Sequence, residues 1–288
     1  MFDEPGLRYS HQAMRTTFTF FFPTPNPNNY LGIAEDCITE LVDIELSISP
    51  YQEGSDIHRL NAAAGTGEWI RVGWPTYRLL HLSMALMDQT HGAFNPFDGH
   101  RTMRVSGKIL DEQTTRMLEE QTCEANGTTV PLEFDETHPQ CKLSAGYLID
   151  LGAIGKGWAL DKCAAIAKDA GVERAFFNAG GSSMIAIGNE WPINIAGIDE
   201  SLTISNQALS VSKLINADAG GVHIVGRILL NKESDIVSRV VGESCAVTDA
   251  LSTAAIAYDT DLEVHLYDYE IVTKVIRSTN SIHSEDNT

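Results

Sequence analysis

Two short stretches of this chain carry residue types at spacings that suit chemistry. The first is the sequence DLGAIGKG at positions 150–157, inside a longer run at 147–161. An apolar segment ends in Asp150, passes Gly152, Gly155 and Gly157, and opens into helix-forming residues over 158–170 that Gly171 stops. Read as strand, glycine loop and helix, the arrangement lets backbone approach a ligand closely. It also offers an anion the unpaired N–H groups of a helix start, and Lys156 adds a full positive charge. Neither familiar phosphate loop fits, because GxGxxG is absent and Gly157 stands where the Walker pattern needs Ser or Thr. A tight strand-to-helix turn with a solvated lysine explains the loop equally well.

The second stretch is TDALSTA at 248–254. Asp249, Ser252 and Thr253 lie at i, i+3 and i+4, which puts their oxygens on one face of a helix's first turn. One carboxylate with hydroxyls suits a hard cation such as Mg²⁺, which uses few protein ligands and completes its shell with water and substrate phosphate. An N-capping Asp with hydroxyls bonded to nearby backbone gives the same spacing. Two weaker stretches are NAGGSS at 178–183 and the lone His223 within GGVHIV at 220–225. His58, His81, His91, His100 and His223 show no HExxH or related spacing, so zinc is not indicated, and there is no GxSxG elbow.

Composition narrows the possible partners. At 288 residues the chain can bury a sizeable core, and 43% hydrophobic with 20% charged residues is ordinary for a globular protein. A net charge of −19 argues against nucleic acid or an anionic membrane as the main partner, since counterion release needs a basic surface. The five cysteines are scattered without a CxxC pair, which fits a reducing compartment rather than a disulfide framework. No apolar run approaches the ~18 residues of a membrane span. The first residues lack the basic and apolar regions of a secretion signal, and no lipobox-like cysteine stands near the start. The expectation is a soluble, cytoplasmic protein without membrane insertion.

The elements that must position these residues follow from periodicity and turn signals. Strands are expected at 16–22, 68–72, 130–134, 141–144, 175–178, 183–187, 193–198, 209–212, 222–230, 238–247 and 270–277. Helices are expected at 29–48, at 57–61 with Ser55 as cap, at 77–89 after Pro75, at 110–124, and from near Asp249 onward. Few long helices alternate with the strands, which predicts an α+β fold with a mostly antiparallel sheet. It is read as a single domain over 1–278 with a frayed polar tail at 279–288.

Seven blocks occur in one order: MRTT at 14–17, the segment 51–61, GAFN at 92–95, DLGAIGKG at 150–157, NAGG at 178–181, HIV at 223–225 and DALST at 249–253. Together they resemble the ApbE family, the Mg²⁺-dependent FAD:protein FMN transferases, over roughly 14–277. The resemblance implies an ApbE-type (T-fold-like) domain with FAD in a cleft. By motif position, Met14 and Tyr51 would pack on the isoalloxazine, Ala93, Phe94 and Asn95 would line the flavin site, and Asp150 and Lys156 would hold the cofactor. The Ala153 carbonyl, Asp249, Ser252 and Thr253 would form the metal site. The implied reaction is attack by a threonine hydroxyl of an acceptor protein, typically a redox or electron-transport subunit, on the FMN phosphorus of FAD, with release of AMP. Mg²⁺ and Lys156 would neutralise charge developing on the pyrophosphate.

The chain departs from the family pattern at Arg15, where Gly is usual, and at Asn95, where Asp is usual. Val225-Gly226-Arg227 replaces an Asp-Pro pair, and Ser212-Lys213 replaces Ser-Gly. Arg15 and Lys213 are expected to add bulk and charge near the flavin side. Two alternatives stay open: a non-catalytic FAD-binding paralogue, favoured by the altered block after His223, and an FAD pyrophosphate hydrolase giving FMN and AMP. His223 is the residue expected to take the acceptor's proton. His223→Ala should therefore slow flavin transfer by about 10²–10⁴-fold; transfer at the wild-type rate would remove that role.

Overall fold

Along the segment TTFTFFFP, Phe18, Phe20 and Phe22 fall on one side and Phe21 on the other, and all four rings are buried. A strand buried on both faces must lie inside a sheet that is covered twice. The computed structural model shows this arrangement and describes residues 4–99, 130–195, 198–214, 234–257 and 270–277.

The strand is β2 (Thr16–Pro23), preceded by β1 (Gly6–Ala13), which the sequence reading left out. The Leu7, Tyr9 and Ala13 alternation was its signal, since all three pack toward the main core. The remaining strands are β3 (Ile70–Arg71), β4 (Leu132–Phe134), β5 (Gln140–Leu143), β6 (Ala175–Ala179), β7 (Ser183–Ile187), β8 (Trp191–Ile195), β9 (Ile198–Ile204), β10 (Ala208–Leu214), β11 (Ser234–Gly242) and β12 (Glu270–Arg277). Seven of them form one sheet in the order β1-β2-β6-β7-β10-β11-β12, with every neighbouring pair antiparallel. Strands β3, β5 and β4 form a small second sheet, and β8 and β9 a hairpin. The expected strand at 193–198 takes in the end of β8 and the first residue of β9, with 196–197 outside the described residues.

Five α-helices are described: α1 (Leu31–Ile48), α2 (Asp56–Ala62), α3 (Trp74–Gln89), α4 (Gly155–Asp169) and α5 (Cys245–Ala257). Ser55 caps α2 by accepting the His58 N–H at 2.9 Å, as expected. Gly171, at φ +78, ends α4, and the Val172 N–H reaches back to the Ala167 carbonyl at 2.9 Å. The fold is thus α+β with mostly antiparallel strands.

Helices α4 and α5 pack on one face of the large sheet, and α1 packs over α4. That face holds the main core, where Phe177 meets Phe20 and Phe22 edge-on at centroid separations of 5.0 and 5.3 Å. The other face is covered by the β8–β9 hairpin, whose Trp191, Ile193, Ile195 and Ile204 close over Phe21, Phe176, Leu209 and Val241. Cys37, Cys141, Cys163 and Cys245 are buried free thiols; burial pushes that of Cys141 up to about 12. No helix among the described residues is long and apolar enough to cross a membrane. The expected helix at 110–124, the strand at 222–230, Cys123 and the tail at 279–288 lie outside the described residues.

Phe177 is fully buried between two cross-strand rings. Phe177→Ala is expected to destabilise the fold by about 3–5 kcal/mol in chemical denaturation. A loss below ~1 kcal/mol would mean that the core at β6 repacks.

Candidate active site

The two stretches with chemical promise meet. The Asp249 carboxylate accepts the Gly157 N–H at 3.1 Å and the Lys156 ammonium at 3.4 Å on Oδ2, and the Ser183 hydroxyl at 3.0 Å on Oδ1. Asp249 is 4% exposed. Each contact spans 66 residues or more of chain.

Both local readings change in detail. The segment before the glycine loop is not a strand of a sheet but an extended stretch bridged in parallel to residue 98. It is held by Leu148 N to Phe97 O at 3.2 Å, Gly99 N to Leu148 O at 2.9 Å and Asp150 N to Pro96 O at 2.8 Å. Asn61 clamps the same stretch, donating to the Ile149 carbonyl at 3.0 Å and accepting its N–H at 2.7 Å. Its side-chain amide replaces a missing strand partner.

Helix α4 starts at Gly155, earlier than expected, so Gly155 and Gly157 lie in its first turn. Their role is packing. A Cβ on Gly157 would lie 2.1 Å from the Cys245 carbonyl oxygen, and one on Gly155 would meet Ile48 at 2.9 Å. Helix α5 starts at Cys245, so Asp249 sits in its second turn and does not cap its own helix. It caps α4 instead. Position 161 returns the service: Asp161 accepts the Cys245 and Ala246 N–H groups at 2.7 and 3.0 Å and the Ser244 hydroxyl at 2.7 Å. Burial pushes the Asp161 carboxyl up, and these donors pull it back. Asp161 was not singled out from sequence; an acid on the helix face nearest a second helix start is visible only once the two helices are placed.

A seam of serines runs under α5. Ser183 bonds Asp249, Ser210 lies 2.9 Å from the Thr248 hydroxyl, and Ser212 lies 2.8 Å from Ser252 and 3.3 Å from Thr253. Ser252 and Thr253 also donate to the Asp249 main-chain carbonyl at 3.0 and 3.3 Å. Ser238, opposite Ser212 in the register, has a buried hydroxyl with no partner among the described residues. Serines at alternate positions of β10, between Leu209 and Val211 and after it, were the available signal.

Met14 and Arg15 form the two-residue β1–β2 turn, both at positive φ (48 and 62), and the Met14 N–H is tied to Glu45 at 2.6 Å. Gly180 packs on this hairpin, since a Cβ there would lie 2.0 Å from the Thr16 hydroxyl, and its N–H donates to Thr17 O at 3.0 Å. Tyr51, 40% exposed, stands just past the end of α1, the helix that carries Glu45. The Phe94 ring is buried in the core, while Ala93 is half-buried and Asn95 exposed, its side chain accepting the Phe97 N–H at 3.0 Å. Asp150 is half-buried and accepts the Gly152 N–H at 2.9 Å; Ala153 follows in the turn into α4. Lys213 is exposed and shares the β10 face of Leu209 and Val211, opposite Ser212, so its charge is directed away from Asp249. His223 lies outside the described residues, as do Val225, Gly226 and Arg227. A cavity of about 550 Å³ lined by Lys168, Glu173, Asn189 and Asn206 opens at the opposite end of α4, away from this chemistry.

Residues 13–271 match the ApbE family. The sequence has no match among curated proteins. Among solved structures, the fold is similar to the ApbE protein of Thermotoga maritima at 21% identity and TM-score 0.72, covering 95% of this chain and 97% of that one. It is similar to the flavin transferase ApbE of Vibrio cholerae at 19% identity and TM-score 0.74, covering 95% and 94%. The flavinyl transferase ApbE of Pseudomonas stutzeri gives 16% identity and TM-score 0.75, covering 94% of each chain.

Gly157 tests the helix contact directly. At an exposed helix site Gly→Ala stabilises by about 1 kcal/mol. Here Gly157→Ala is expected to destabilise by about 1–3 kcal/mol, because the added methyl meets a backbone carbonyl that cannot give way alone. A rise in thermal midpoint for this variant would contradict the close packing of α4 on α5.

Proposed function

The chain belongs to the ApbE family of flavin transferases, and we propose that it moves FMN from FAD to a threonine hydroxyl of an acceptor protein, with Mg²⁺, releasing AMP. What supports this reading most is the convergence on Asp249 of a lysine, a helix start and a row of hydroxyls. Among the described residues no three His, Cys, Asp or Glu side chains group as metal ligands. The donors at hand are one buried carboxylate and neutral oxygens, a set that fits a hard cation with water and phosphate completing its shell.

In this reading Asp249, Ser252, Thr253 and the Ala153 carbonyl hold the cation. When bound, Mg²⁺ would supply charge neutralisation at the pyrophosphate. Lys156 and the first turn of α4 attract the same pyrophosphate. Asp150 holds the cofactor, Met14 and Tyr51 pack on the isoalloxazine, and Ala93, Phe94 and Asn95 line the flavin site. Phe94 does so from the core side, by fixing the chain between its neighbours. His223 takes the proton of the attacking threonine. The protein acts in the cytoplasm, on an acceptor exposed there.

The test is to incubate the protein with FAD and Mg²⁺, with and without a domain or peptide carrying an acceptor threonine, and to follow AMP and acceptor mass. Gain of one FMN that depends on both cation and acceptor is the expected result. Asp249→Ala should reduce turnover by about 10²-fold or more, several kcal/mol of barrier, with the fold retained. FMN and AMP formed without acceptor would instead identify a hydrolase, and tight FAD binding without AMP a carrier.

A further inference from the structure

Asp249 is costly to bury without a ligand. Its side chain is 5% exposed, and a carboxylate so enclosed needs donors and a countercharge. It has three donors: Ser183 at 3.0 Å, the Gly157 N–H at 3.1 Å and Lys156 at 3.4 Å. Of these only the Lys156 ammonium carries charge. The same ammonium contacts the Gly152 carbonyl at 3.4 Å, in the turn that contains Ala153. Its side chain remains 21% exposed, so it has a way out to solvent that the Gly157 amide lacks.

Resting on the metal-site reading above, we propose that Lys156 is a stand-in cation: it neutralises Asp249 in the cation-free protein and yields the carboxylate when a divalent cation binds. A lysine ammonium is a compact, strongly hydrated charge on a flexible stem. Two cations on one carboxylate repel, so Lys156 and the metal compete for Asp249. Once displaced, the ammonium is free to turn to an anionic ligand at the start of α4. Removing Lys156 then has a sign that a purely ligand-gripping lysine would not give. Cation affinity rises, while the cation-free protein loses stability.

The test uses the full chain without flavin. Mn²⁺ binding is titrated by electron paramagnetic resonance for wild type, Lys156→Met, Lys156→Gln and the charge-retaining Lys156→Arg, and thermal midpoints are read with and without Mg²⁺. Lys156→Met and Lys156→Gln are expected to bind Mn²⁺ about tenfold tighter than wild type, to melt lower without cation, and to gain more from Mg²⁺. Lys156→Arg should stay near wild type. In the wild-type protein, mass mapping after mild acetylation should show Lys156 several-fold more reactive with Mn²⁺ than without, a readout that needs no variant to fold. Unchanged or weaker Mn²⁺ binding by the neutral variants, or unchanged Lys156 reactivity while wild type binds Mn²⁺, overturns the stand-in role alone. If no form binds Mn²⁺, the metal-site reading fails and this proposal with it.

Discussion

Two buried carboxylates exchanged between α4 and α5 hold the centre of this molecule. Asp161 of α4 satisfies the first amides of α5, and Asp249 of α5 satisfies an amide in the first turn of α4. Each helix start carries partial positive charge and unpaired donors, and each receives an anion from the other helix. Burial pushes the Asp161 carboxyl up, and its donors pull it back. The exchange works only at close range, and Gly157 permits that range by having no Cβ to strike the Cys245 carbonyl. Shifting either helix by one turn would leave three helix-start amides unpaired and take those donors from both buried acids, so the pair fixes the register of the helices.

From that register the rest of the site follows. Once Asp249 is fixed, the next turn of α5 places Ser252 and Thr253 against Ser212, and the preceding turn places Thr248 against Ser210. The serine seam belongs to β7 and β10, adjacent strands whose register pairs Ser210 with Ser183. Sheet geometry thus presents hydroxyls at the spacing that the helix needs. A polar row in an otherwise apolar interface is acceptable because nearly all its members bond one another.

The family blocks, far apart in the chain, are joined by bonds and close contacts to the main chain. Asn61 secures Ile149, Pro96 secures Asp150, and Gly180 packs on Thr16 and bonds Thr17. The Met14–Arg15 turn is held at positive φ by hairpin geometry and by Glu45. Arg15 therefore fits where glycine would be easier, at a local cost of about 1–2 kcal/mol.

Legible in consecutive residues were the α+β class, most of the described strands and helices, the glycine loop, the shared face of Asp249, Ser252 and Thr253, and the family. Those signals are local: period-two aromatics in β2, the Ser55 cap, the Gly171 stop, and motif blocks in order. What the sequence did not carry were facts about distant partners. Residues 147–151 are as apolar as a strand but find only one bridging neighbour among the described residues, and α5 begins four residues early, its first amides taken by Asp161, 84 residues away, beside the local cap Ser244. The glycines of α4 look like a ligand's cradle in sequence, yet two of them make room for α1 and α5. Lys213 lies beside Ser212 in sequence but on the opposite face of the sheet, because successive side chains alternate. Local propensity and motif order are written in consecutive residues. Which donor meets which buried acid depends on packing between residues 66 or more apart in the chain.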